Sequence, residues 1–492
     1  MAAPRARTTD EHGLSLLQLP AELLGLILCR LDTRGLCHIA SCCRWLYHGP
    51  SGTSEPESQT SPVEDALRQR ARRRAVVVPV DLPAHMSSLG WLQYLLRREW
   101  QSAVPRSRIS TSDDHCLLLD AADRLLSCGT EDLFHGHGVL GHGKHGQLLL
   151  STPTPIPSMA DVRVRSVAAF NGNSFALGRQ GELYSWGKGF HGVLGHGDEE
   201  SRHEPAVVDA LRGQRVISVT SNMVNSFAVT EDGILFSWGT GRLRGRGEGE
   251  PHPAQLIPAR VEALRGTAVR MVAAASYLDC TLVVSQAGEV FSWGDGSTGL
   301  LGHGDVRDVA LPKRIAALHE VQISAIAVGS EHALALSYSH AVFSWGLDND
   351  GSLGHGQSVR WCCSPKLIDA LRGVCICEVA AGRDHSCAIT DAGQLFTWGS
   401  GLFGKLGHGD VSARSLPKRV TRLDGTMVVR VSAGHFHTLA VAAEGGVHLL
   451  GNCNPTMFGM AERSWGGEPV EDIWVPRRIH EWSVSRRHDP HA

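Results

Sequence analysis

Hydrophobic positions follow a helical period at the front of the chain and a strand period after it. Leu23, Leu24, Ile27, Leu28 and Leu31 make one helical stripe, and Leu36, Ile39, Ala40 and Cys43 make a second at i, i+3, i+4, i+7. Two or three short amphipathic helices are predicted over residues 13–49, with Pro20 in a first turn and Asp32 or Thr33 as a start signal. So short a segment cannot bury both stripes by itself, so its apolar surplus is expected to meet a partner or, alternatively, the rest of the chain. Residues 50–62, PSGTSEPESQTSP, carry no hydrophobic side chain and read as a flexible linker at a domain boundary. Residues 63–104 read as a connector: a helical segment, a short strand-like run and a second helix bearing Leu89, Leu92, Leu95 and Leu96.

From about residue 105 to 482 the pattern is β and it repeats. Trp186, Trp238, Trp293, Trp345 and Trp398 each end a short apolar run and precede a glycine; Cys128 and Leu450 stand in the same place at the two ends of the series. These seven positions recur at intervals of 52 to 58 residues. Within a unit, short alternating runs flank turns such as Asp232-Gly233, Gln180-Gly181 and Ala392-Gly393, so each unit supplies about four strands. Four-stranded units that cannot bury both faces alone close into a ring, and a mainly β fold with a seven-bladed propeller is predicted. Taking Pro205, Pro258, Pro312, Pro365 and Pro417 as the openings of units, the last opening near Pro476 has no strands after it and the first block lacks one. The strand from Pro476 to Trp482 is therefore expected to join the blade that begins near Arg108 and so fasten the ring.

Two family resemblances follow from these motifs. The units are similar to the regulator of chromosome condensation (RCC) repeat, in the order Pro-x-x-Val/Ile, Gly-x-x-His, a glycine turn, Trp-Gly and Leu-Gly-x-Gly; "LPKRVTRL", "AAGRDHSCAI", "LFTWG" and "GKLGHG" show it best. This family folds as a seven-bladed propeller. Departures are Cys128, Leu450 and the RGEG of Arg246 to Gly249. At the front, Leu19-Pro20, Glu22-Leu23-Leu24, Ile27, Leu31, Leu36 and Cys43 resemble the F-box, which docks substrate receptors onto the Skp adaptor of cullin-RING ubiquitin ligases. The resemblance implies an adaptor-facing surface made by Leu19, Pro20, Leu23, Leu24, Ile27, Leu31, Leu36, Ile39 and Cys43.

Composition adds limits. A net charge of -3 gives no global reason to bind nucleic acid or an anionic membrane, and no stretch is long and clean enough to span a bilayer. The basic run Arg68, Arg70, Arg72, Arg73, Arg74 reads as a solvated helix face before a nuclear address or a phosphate patch. Thirteen cysteines without C-x-x-C or zinc-site spacing read as reduced thiols, and residues 1–12 and 483–492 as disordered tails without a secretory signal. A cytoplasmic or nuclear protein is expected.

A binding site needs an asymmetric set of residues, so whatever recurs in blade after blade is assigned to the scaffold. That removes the tryptophans, the Gly-flanked His142, His196, His303, His355 and His408, and the second set His115, His332, His385 and His437, which other units replace with Asn173, Asn225 and Asp279. No metal site and no cofactor are expected. The departures remain as partner-binding candidates: Arg242, Arg244 and Arg246 in one basic loop, Arg360 and Trp361 in another, and Asp114, Glu331, Asp384 and His435 in the turns before the histidines. No phosphate-cradling loop, nucleophile elbow or metalloprotease helix is present, so no catalytic residues are expected. The two resemblances together imply a substrate-recognition subunit of a Skp–cullin–F-box ubiquitin ligase, with Skp-type adaptor, cullin-RING ligase and an unidentified protein target as partners. The alternative is a guanine nucleotide exchange factor for a small GTPase, or a chromatin-associated scaffold.

Overall fold

The computed structural model describes residues 109–483, except 113–114, 121, 132–136, 147–148, 171, 241–254, 357–359 and 452–473. The chain divides into two compact units, Met1–Arg106 and Ser107–Ala492. The helical module, the linker and the connector inferred from sequence lie outside the described residues, as do all nine adaptor-facing residues from Leu19 to Cys43. Among the described residues no helix is long and apolar enough to cross a membrane.

The second unit is built from seven four-stranded antiparallel sheets, each formed by four strands consecutive in sequence. Blade 1 comprises Ile109–Thr111, His115–Leu119, Leu125–Thr130 and Leu149–Pro155; blade 7 comprises Val428–Ala433, His437–Ala442, Gly446–Gly451 and Arg477–Ser483. The first strand of every blade packs against the first strand of the next, and the first strand of blade 7 packs on that of blade 1. First strands therefore surround the axis and fourth strands lie outermost.

This order corrects the phase expected from the sequence. The proline strands do not open the units: Arg202–Val207, which holds Pro205, pairs with Leu183–Gly187 and closes blade 2, and Arg414–Arg419, which holds Pro417, closes blade 6. Proline lacks a backbone N–H, and the outermost strand has one edge that needs no donor. In the same way Arg477–Ser483 pairs with Gly446–Gly451 of blade 7, not with blade 1. The ring is fastened by side-chain packing across the seam. Ile109, Cys116, Leu118 and Cys128 of blade 1 share a cluster with Val429, Leu439, Val447, Leu449 and Ile479 of blade 7.

The core is distributed in the same manner, with one apolar cluster for each seam between blades. Phe175, Leu177 and Leu183 of blade 2 meet Val216, Ala228 and Trp238 of blade 3, and Leu334, Leu336 and Val342 of blade 5 meet Ile376, Ala388 and Trp398 of blade 6. The five tryptophans are fully buried. Trp186, Trp238, Trp345 and Trp398 each donate the indole N–H to a carbonyl of the preceding blade, on Val139, Val193, Leu300 and Ser352, at 2.7–2.9 Å.

The Leu-Gly-His-Gly motif prepares that seat. Gly354 has φ of +76°, and a Cβ there would lie 2.8 Å from Trp398 Nε1. The motif histidines are struts: Ser127, Ser185, Ser292, Ser344 and Thr397 donate their hydroxyls to the leucine carbonyl of the motif. Each hydroxyl oxygen then accepts from His142, His196, His303, His355 or His408 at 2.9–3.1 Å. Burial holds these imidazoles below the ordinary histidine range, His408 at about 4.

Candidate functional site

Antiparallel pairing puts the turns between first and second strands, and the loops between third and fourth strands, on one face of the ring. Most of what lies there repeats. In four blades the histidine that starts the second strand reaches the following blade: His115 Nε2 to Ser174 Oγ at 2.6 Å, His332 to Ser386 at 2.9 Å, His385 to Thr438 at 2.8 Å, and His437 to Thr111 at 2.6 Å. Asn225 keeps the pattern by donating to Asp279 Oδ1 at 2.6 Å. The spacing of the repeat suggests Asp279 for the histidine position of blade 4. Strand register gives that position to Cys280, which opposes Gly294 as His332 opposes Gly346.

With that register, blade 4 departs from the other blades in its first turn. In blades 3, 5, 6 and 7 three residues join the first and second strands, but in blade 4 five do, Ala275 to Asp279. The longer turn carries Tyr277, which is 41% exposed. Its hydroxyl meets His435 Nδ1 of blade 7 at 3.1 Å, and the Arg383 guanidinium of blade 6 stands 6.0 Å from its ring centroid. Blades 4 and 7 are not neighbours, so Tyr277 extends over the mouth of the central opening.

An aromatic line continues outward from there. The His435 and Phe436 rings stack at 4.3 Å, and Phe436 meets Phe403 edge-on at 5.1 Å. Phe436 is 37% and Phe403 44% exposed. Phe403 has φ of 64°, but His191 and Asp350 take similar angles at the equivalent place in blades 2 and 5, so this conformation belongs to the repeated loop. Arg383 is exposed and its guanidinium also contacts His435.

A second asymmetric feature lies beneath the line. Lys405 occupies the place held by Val193 in blade 2 and Leu300 in blade 4, is 1% exposed, and forms an ion pair with Asp384. Burial lowers its pKa, and the Asp384 carboxylate opposes that shift. A lysine in a valine position is visible in sequence by the same subtraction that isolates Arg360, its charge being the signal.

The remaining candidates separate. Asp384 and His435 belong to this group. Glu331 lies in blade 5, where its carboxylate accepts from Asn349 Nδ2 at 2.6 Å. Arg360 and Trp361 lie at the start of an outermost strand, the guanidinium 5.0 Å from the indole centroid, and Trp361 is 47% exposed. Asp114, Arg242, Arg244 and Arg246 fall outside the described residues. In blade 1 the Glu131 carboxylate accepts from the backbone N–H groups of Gly138, Val139 and Leu140 at 2.8–3.0 Å. Among the described residues no cluster of His, Cys, Asp or Glu is arranged to hold a metal.

A ring of seven four-stranded blades, with an asymmetric aromatic and cationic group at its mouth, is a seven-bladed β-propeller. A family model for the RCC1-like domain matches residues 200–488. The chain belongs to the RCC1-like domain family. It is 32% identical to the ultraviolet-B receptor UVR8 of Arabidopsis thaliana over 355 residues, 72% of this chain and 78% of that protein. It is 36% identical to the human E3 ubiquitin-protein ligase HERC2 over 310 residues, which cover 62% of this chain but 6% of HERC2. Among solved structures, yeast Prp20p superposes with a TM-score of 0.61 at 23% identity, over 77% of this chain and 89% of that one. Human WBSCR16 gives 0.59 at 24%, over 68% and 87%. At such identities the structures share the fold alone.

Proposed function

We propose that the chain is a substrate receptor of a cullin-RING ubiquitin ligase, in which the front module docks a Skp-type adaptor and the propeller mouth holds the target protein. The observation that carries the second half is the group of exposed Tyr277, Phe436, Phe403 and Arg383 gathered around the buried His435, which breaks the repeat and has the residue types that anchor protein contacts. A HERC-type ubiquitin ligase carries a related segment, which supports the setting. The receptor itself performs no chemistry. It raises the concentration of target near the charged conjugating enzyme to the order of mM, the range for tethered partners.

Affinity capture from cells tests this with three variants of the full chain. Leu23→Ala with Ile27→Ala should lose the adaptor. Tyr277→Ala with Phe436→Ala should keep the adaptor and lose ubiquitinated targets. Arg372→Ala, on an exposed turn after a fourth strand and hence on the opposite face, should change neither. Adaptor capture by the first variant would overturn the docking half. Unchanged targets with the second would overturn the mouth as their site.

Nucleotide exchange is the competing reading, since Prp20p is described with binding to Gsp1p. Here Asp384 is paired with Lys405 and Glu331 accepts from Asn349, so each carboxylate already has a partner within the propeller. Release of labelled nucleotide from a Gsp1-type GTPase should stay at its spontaneous rate.

A further inference from the structure

We propose that Cys116 and Cys128 are an oxidation site, closing to an intrachain disulfide inside blade 1 when the protein meets a hydroperoxide. The two residues face each other directly across the second and third strands. In the other six blades this cross-strand pair joins a small residue to a tryptophan, as Ser174 with Trp186 and Ala333 with Trp345, or to Leu450. Both members have become cysteine in the same blade, which the scaffold does not require.

The geometry admits the bond. Directly opposed residues of an antiparallel pair have Cα atoms about 4.5–5.5 Å apart, inside the range of about 4.4–6.8 Å that a disulfide spans. Both side chains are fully buried, so a disulfide would form without turning either one out of the core. Cys116 Sγ also donates to Thr111 Oγ1 at 3.1 Å, and that hydroxyl lies 2.6 Å from His437 Nε2.

These contacts set Cys116 apart from other buried thiols of the chain. Burial pushes it up, but Cys128, His437 and Thr111 outweigh burial and hold it below the ordinary thiol range. Burial prevails at Cys280, pushed well up, and at Cys387, pushed up to about 12. The thiolate is the nucleophile, so Cys116 is the one to react first.

Its sulfur attacks one peroxide oxygen, the O–O bond breaks, and Cys116 becomes a sulfenic acid as the first water leaves. The Cys128 sulfur then attacks the Cys116 sulfur and displaces the hydroxyl as the second water. Two thiols lose two electrons and two protons, and one hydrogen peroxide becomes two waters.

Peptide mapping of the full chain reads the result. After hydrogen peroxide, alkylation and trypsin without reductant, cleavage at Arg124 separates the two cysteines, so a disulfide leaves fragments 109–124 and 125–144 linked. The expected result is loss of the two alkylated fragments in favour of the linked pair, reversed by dithiothreitol. Cys128→Ser should trap Cys116 as a sulfenic acid instead. Fragments that stay separate and alkylated, or Cys116 joined to another cysteine, would overturn the proposal. The wild-type map decides even where the variant does not fold.

Discussion

His437 Nε2 and Thr111 Oγ1 lie 2.6 Å apart although 326 residues separate them in the chain. The same histidine-to-hydroxyl contact joins blades 5 and 6 and blades 6 and 7, but there it links segments about one repeat apart. Between blades 7 and 1 it holds the two ends of the propeller together. No strand is exchanged across that seam.

Thr111→Val should therefore loosen the ring at its closure. The valine keeps the shape and removes the oxygen that His437 and Cys116 both use, at a cost of about 1–3 kcal/mol. Thr111→Ser should retain most of the stability. Denaturant unfolding of the three proteins checks the order.

Acid should destabilise the propeller before its carboxylates titrate. Burial depresses His332 to about 4 and His385 well below its ordinary value, whereas both titrate near 6.5 once unfolded. A depressed folded value gives stability that is full above 6.5 and is lost as pH falls toward the folded value. Each such group contributes a slope of at most about 1.4 kcal/mol per pH unit. His332→Asn, which copies the residue at Asn173 and Asn225, should flatten the dependence between about pH 6.5 and 5. Melts across that interval measure it.

Asp384→Asn should cost more than an exposed charge change, about 3–5 kcal/mol, because it leaves Lys405 buried without its carboxylate. Adding Lys405→Val, the residue that blade 2 holds there, should recover most of the loss. A double-mutant cycle by chemical denaturation gives the coupling, and additive losses would contradict the assignment.

Gly354→Ala should destabilise by about 2–3 kcal/mol, since it places a methyl against the Trp398 indole at a backbone angle alanine disfavours. The Trp398 fluorescence should shift in the same variant. Unchanged emission and stability would mean that the motif does not seat the tryptophan of the next blade.

The repeats made the architecture legible. Seven copies of one pattern require seven copies of one environment, so the sequence alone identified the blades, the buried tryptophans and the motif histidines as scaffold. It could not set the phase, because a periodic pattern has no marked beginning. Strand pairing decides that the strand holding Pro205 and the strand that follows Pro476 close blades, and places Cys280 where the spacing suggests Asp279. That one register also hid the longer turn that carries Tyr277. Lys405 was open to view as a charge in an apolar position, but its partner Asp384 was visible only as a turn residue. The meeting of Tyr277 with His435, and of Thr111 with His437, belongs to the closed ring alone. Local spacing fixes what each blade is, and closure decides which distant residues share the mouth and the seam.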